Sequence, residues 1–265
     1  MAPSFQFPRV RGLRFLAALG AASIIYLFIW SFGARPLQAS LFCAREDTTD
    51  VKILLVSAYF PLPRSKHSHE EYDRWVKKYL TKVTTHIYFF APPEVEGLIR
   101  ELRGDLPMTL NTSFSSPFDI PPLQGLRGRY QEMHDEIPED THRIDWSKDT
   151  HSPELYAVWN AKTYFLQAGL QNSKANGLGF TWAFWTDAGS FRDDQEFAAW
   201  PDQQRISDIF QEGSCLTGTS AKDLFFIPVW DGPDDDWEGW QEDDGPVHVR
   251  DSVSEGRFVV HDRGV

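Results

Sequence analysis

Residues 51–60 read "VKILLVSAYF". Apart from Lys52 and Ser57 the run is apolar or aromatic, with no alternation of polar side chains. A strand with one wet face alternates, whereas a strand covered on both faces reads as a continuous apolar run. This stretch therefore predicts a fully buried strand, ended by Pro61 and Pro63. Working outward, "EEYDRWVKKYL" (residues 70–80) places Tyr72, Trp75, Val76, Tyr79 and Leu80 on one face at helical spacing. "THIYFFA" (residues 85–91) is a second buried strand, followed by a helix over 94–102 and a strand near 107–110. Strand, helix, strand, helix, strand in this order predicts an α/β domain: a Rossmann-like, mostly parallel sheet with helices on both faces.

Further along, residues 113–150 are rich in Pro, Gly and charge and read as a long loop. "SPELYAVWNAKTYFLQAGL" (residues 152–170) reads as one helix with Ser152 as N-cap and Pro153 at its first position. "TWAFWTDAG" (residues 181–189) and "KDLFFIPVW" (residues 222–230) predict two more strands. Residues 231–246 hold eight acids in sixteen positions and read as a solvated acidic loop, with a cation site as the rival reading. The chain ends on "EGRFVVHDRGV", a strand-like run without an evident partner, which predicts a domain cut short on its C-terminal side.

The segment before the first strand has a composition of its own. Residues 15–34 are twenty positions without a charge, enough to cross a hydrocarbon layer about 30 Å thick as a helix. Arg9, Arg11 and Arg14 precede it and no acid appears before Glu46. The expectation is a cytosolic tail (1–14), a signal-anchor (15–34), a stem (35–50) and a lumenal domain (51–265), in a single-pass type II protein of the Golgi or endoplasmic reticulum. A cleaved signal peptide is the competing reading, but its apolar region should be about 7 to 15 residues long. Removing the three arginines from the 26 basic residues leaves 23 against 38 acids, a net of −15. So acidic a body argues against binding nucleic acid through its phosphates. Asn111-Thr112-Ser113 is a glycosylation sequon, in keeping with a lumenal address. The two cysteines, Cys43 and Cys215, leave their pairing open.

Chemistry centres on Asp187. It follows the apolar strand "FTWAFWT", and in open parallel sheets ligands bind outside the carboxyl ends of strands. A carboxylate there can hold a divalent cation or accept hydrogen bonds from sugar hydroxyls, although it can equally cap a turn. Gly189 follows closely enough to let the backbone turn or a ligand approach. Lys162 falls within the apolar stripe Leu155, Val158, Trp159, Phe165, Leu166 and Leu170. A lysine there either snorkels out, pairs with an acid or points into a polar cavity. His67-Ser68-His69 offers two imidazoles, read as a polar loop rather than a metal pair, and Gly177-Leu178-Gly179 lacks the dinucleotide fingerprint.

These residues resemble a known family. "SPELYAVWNAK" followed by "FWTDAGSFR", with "LLVSAYF" as first strand, is similar to the HtrL/YibB-like proteins, which look like glycosyltransferases of the GT-A type. More loosely it resembles the glycogenin-like transferases, where a helix lysine precedes a strand ending in Asp-x-Asp. The resemblance implies sugar transfer from a nucleotide-sugar donor to a glycan or glycoprotein acceptor. It gives Lys162 to donor phosphate or sugar and makes Asp187 the first acid of a motif for Mn²⁺ or Mg²⁺. It also places Ser57, Tyr59, Gly189 and Arg192 around the donor; Arg64, after the first strand, either reaches the donor phosphates or makes a surface salt bridge. Gly189 stands where the second acid belongs, so a metal would need help from Asp193, Asp194 or a later residue. With that acid missing, a non-catalytic lumenal domain that binds a glycan or a protein is the alternative.

Overall fold

The computed structural model describes residues 51–136, 151–194 and 199–226, together with the backbone of a strand at 259–261. The expected tail, anchor and stem, the acidic loop 231–246 and Cys43 lie outside the described residues. Among the described residues no helix is long and apolar enough to cross a membrane.

The fold is α/β. In chain order it comprises β1 (Ile53–Ala58), α1 (His69–Lys82), β2 (His86–Phe90), α2 (Glu96–Arg103), β3 (Met108–Asn111), α3 (Arg127–Asp135), α4 (Pro153–Asn160), α5 (Lys162–Ala175), β4 (Trp182–Trp185), α6 (Gln203–Thr217), β5 (Phe225–Phe226) and β6 (Val259–His261). The sheet order is β3-β2-β1-β4-β6-β5. The first four of these strands run parallel, with Leu55 opposite Ile87 on one side of β1 and opposite Phe184 on the other. β6 lies antiparallel to both β4 and β5.

Why β1 lacks polar alternation is now visible. Ile53 and Leu55 point into a cluster with Val76, Tyr79 and Leu80 of α1, Ile99 of α2 and Phe210 of α6. Leu54 and Val56 point the other way, against Phe165, Leu166 and Leu170 of α5 and Ala157 of α4. Each such fully buried aliphatic side chain contributes roughly 1.5–3 kcal/mol. Helices therefore cover both faces, as expected. α1 starts on a capping box, with Ser68 accepting from the Glu71 amide and the Glu71 carboxylate accepting from the Ser68 amide. Ser152 caps α4 with Pro153 at its first position, also as expected.

A buried cation ties the α1 face together. Arg103, 2% exposed, donates to the carbonyls of Leu80, Val83, Thr85 and Pro107 at 2.6–2.8 Å. It thereby joins the end of α1 to the entrances of β2 and β3. Burial lowers its pKa to about 10, so it stays charged at neutral pH.

Three expectations are corrected and a fourth is described only in part. Residues 152–170 form two helices, because the chain turns at Ala161 and restarts at Lys162. Apolar periodicity carries through that turn and hides it. The long loop contains short 3-10 turns at Pro117–Asp119 and Pro121–Leu123 and the helix α3, anchored by buried Phe118, Leu123 and Tyr130; residues 137–150 lie outside the described ones. Within 222–230 the described part, 222–226, holds the end of a 3-10 turn and the two-residue β5, and residues 227–230 lie outside the described ones. The strand-like run near the C-terminus has partners after all, because β6 sits between β4 and β5.

Candidate functional site

The topology marks a position. From β1 the chain moves outward to β2 and β3, then returns to the other side of β1 for β4. Connections on the two sides of β1 leave in opposite directions, and in open α/β sheets that reversal marks the place where ligands bind, here the carboxyl ends of β1 and β4. Asp187 lies there, two residues beyond β4. Helix α5, which leads back into the start of β4, has its first residue, Lys162, at the same edge.

The two side chains meet. Lys162 Nζ is 3.2 Å from Oδ1 and 3.3 Å from Oδ2 of Asp187. Side chains two apart on a strand share a face, so the Trp185 indole lies beside the acid, and its Nε1 donates to Oδ1 at 2.8 Å. The Lys162 ammonium is also 5.9 Å from the centre of the Trp185 ring. Exposure is uneven: the Lys162 side chain is 4% exposed, that of Asp187 35%. Only the acid offers itself to a ligand, while the lysine works from behind it.

Among the described residues this donor set offers little to a divalent cation. The carboxylate described there, Asp187, already faces an ammonium on both oxygens, and a 2+ ion beside that ammonium would be repelled. Asp194 is turned to Lys78, 2.8 Å away, and Asp193 is exposed on the same loop. A Cβ on Gly189 would lie 3.5 Å from the rings of Tyr72 and Trp75, and its φ is not in the left-handed region. Among the described residues no three of His, Cys, Asp and Glu gather to hold a metal.

The remaining expected residues divide between two faces. Ser57 is fully buried on the α1 side of the sheet, not in the crevice. Tyr59 points the same way and donates to Asp73 Oδ1 at 2.9 Å; burial, reinforced by that carboxylate, raises its pKa. Arg64 is exposed on the loop after β1. Arg192 stacks over Trp75 at 4.5 Å. Asn111 ends β3 and donates to the Tyr88 hydroxyl at 3.2 Å, as Asn172 does at 3.1 Å, so the sequon amide is engaged within the fold. His67 packs edge-on against Trp75 at 4.8 Å and His69 opens α1 exposed, which favours the polar-loop reading of that pair. Cys215 sits half-buried on α6.

Two features escaped the reading of residue patterns. Trp185 as partner of Asp187 was within reach, since the two-residue spacing puts them side by side. The brace under the following loop was not: Tyr79 stacks on Phe191 at 4.9 Å, and Lys78 Nζ donates to the Arg192 carbonyl at 3.0 Å. These contacts join segments more than a hundred residues apart.

Comparison with known proteins finds no matching family model, no matching curated protein and no matching solved structure.

Proposed function

We propose that the crevice at β1 and β4 is a nucleotide-sugar site and that the protein is a glycosyltransferase of GT-A character. One observation carries the reading: a part-exposed carboxylate, Asp187, held by Lys162 and Trp185 at the carboxyl edge where the strand order reverses. A carboxylate is an acceptor only, and the natural donors for it are ring hydroxyls of a ribose or hexose. Lys162 is a positioning residue in this scheme. It holds Asp187 in place, and it adds positive potential near the leaving diphosphate. The donor is bound without a divalent cation, since the carboxylate's partner is already a cation. The acceptor is a glycan or glycoprotein, and the anchor at 15–34 fixes the domain in the lumen of the Golgi or endoplasmic reticulum; both statements rest on the sequence.

Lys162 neutralising Asp187 also favours the second reading, a domain of the same fold that binds a sugar without transferring it. The experiment that tests both is calorimetric titration of the full-length protein in detergent with UDP- and GDP-sugars, in Mn²⁺ and in EDTA. Binding that persists in EDTA and weakens about tenfold or more in Asp187→Asn supports the nucleotide-sugar site. Release of free nucleoside diphosphate on adding acceptor glycans then separates transferase from binding domain. No binding by any nucleotide-sugar ends the donor reading.

A further inference from the structure

Asn111 begins the chain's one Asn-x-Ser/Thr sequence, since Asn160, Asn172 and Asn176 are followed two positions on by Lys162, Lys174 and Leu178. The fold puts this sequon in a particular place. Asn111 is the last residue of β3, and β3 ends the sheet order, paired with β2 on one side. Among the described residues no strand pairs with its other side. An edge strand leaves its outer hydrogen-bonding groups open to another chain, and proteins commonly guard it with charged side chains or proline. The four residues from Met108 to Asn111 include neither, and each is only half-buried.

The Asn111 side chain is oriented through both of its ends. Its Oδ1 accepts from the Ser113 backbone amide at 3.0 Å, a local turn that asparagine favours, and its Nδ2 donates to the Tyr88 hydroxyl at 3.2 Å. An amide nitrogen carries two hydrogens, and the bond to Tyr88 uses one. Asn172 of α5 donates to the same hydroxyl at 3.1 Å, so Tyr88 has a further donor that does not involve Asn111. One substituent on Nδ2 is therefore compatible with all three bonds. We propose that Asn111 carries an N-linked glycan and that this glycan shields the open side of β3. In the transfer, Nδ2 bonds to C1 of a sugar carried on a lipid diphosphate. The C1–O bond to the diphosphate breaks, the diphosphate leaves with the bonding electrons, and Nδ2 loses one proton. Because Nδ2 is engaged in the folded chain, the sugar is added before β3 docks on β2. A glycan is bulky and solubilising. At the end of an edge strand it obstructs strand addition and needs no charge or proline within the ladder.

The glycan rests on the lumenal address proposed above and is independent of the nucleotide-sugar site. The full-length protein, made in a eukaryotic secretory system, is digested with peptide N-glycosidase, while intact microsomes are probed with protease in parallel. A gain in gel mobility on deglycosylation is expected for the parent protein and is lost in Asn111→Gln and in Ser113→Ala. A domain protected from protease but showing no mobility shift overturns the glycan and leaves the address standing. A domain digested from outside the microsomes overturns both. Ser113→Ala also tests the shield, because it destroys the sequon while the backbone amide of residue 113 and the Asn111–Tyr88 bond are retained. In detergent at rising concentration, Ser113→Ala should form early-eluting species on size-exclusion chromatography that the glycosylated parent does not form. Identical elution of the two overturns the shielding role. Should Asn111→Gln fail to fold, Ser113→Ala carries both arms of the test.

Discussion

The Lys162–Asp187 pair is asymmetric, and its asymmetry is measurable. Asp187 can reach water and Lys162 cannot. Removing the lysine leaves a carboxylate able to hydrate; removing the acid leaves a cation in the protein interior deprived of this counter-charge. Asp187→Ala is therefore expected to cost about 3 kcal/mol and Lys162→Met less, with the double variant less destabilised than the sum. Urea denaturation of the four proteins checks the cycle. His86 makes a second prediction at this scale. It lies between Thr109, 3.0 Å from its Nε2, and the ring of Phe180 at 5.2 Å. Burial, with a smaller push from Arg103, lowers its pKa from the ordinary 6.5. The unfolded chain takes up its proton near 6.5 and the folded chain only below that, so acid favours unfolding in between. The stability is fully present above pH 6.5 and declines as pH falls toward the folded value. His86→Gln should flatten this part of the decline, seen as a smaller drop in Tm between pH 6.5 and about 5 than in the parent protein.

Elements are held by contacts that tolerate little change. α5 approaches β1 through Gly169, where a Cβ would lie 3.0 and 3.2 Å from the two Val56 methyls and 3.4 Å from the Tyr88 ring. Val56 is fully buried on a central strand and has nowhere to retreat. In an open helix Gly→Ala gains up to about 1 kcal/mol; Gly169→Ala is expected to lose about 1–2 kcal/mol instead, because α5 must lift from the sheet. Thermal unfolding of the single variant gives the sign. On the opposite face Arg103 serves α1, β2 and β3 at once. Arg103→Met would leave four carbonyls, those of Leu80 and Val83 in buried contacts, without this donor and should cost about 3 kcal/mol or more. Arg103→Lys should recover only part of that, since an ammonium offers three donors from one point where the guanidinium reaches with a fork.

At the scale of the whole molecule, the parallel half was open to reading because burial on both faces leaves an unmistakable trace. "ILLVSA" and "HIYFF" admit no wet side, and Trp75, Val76, Tyr79 and Leu80 mark the inner stripe of α1. Asp187 and Lys162 could be singled out by the same logic, one as a charge at the end of an apolar run and the other as a charge within one. What stayed hidden is whatever depends on distant partners. The turn at Ala161 breaks no periodicity, α3 buries little besides Tyr130 and His134, and Ser57 reads equally well as facing the crevice or facing Tyr79. The position of β6 belongs to that group and has a further consequence. The side of β4 turned away from β1 is covered by residues that come far downstream. Until they arrive, Trp182, Ala183 and Phe184 present a bare rim of amide and carbonyl groups, an invitation for a second unfinished chain to add itself. Chains shortened before Val259 should clump as they are made, and light scattering against the full-length protein would register it.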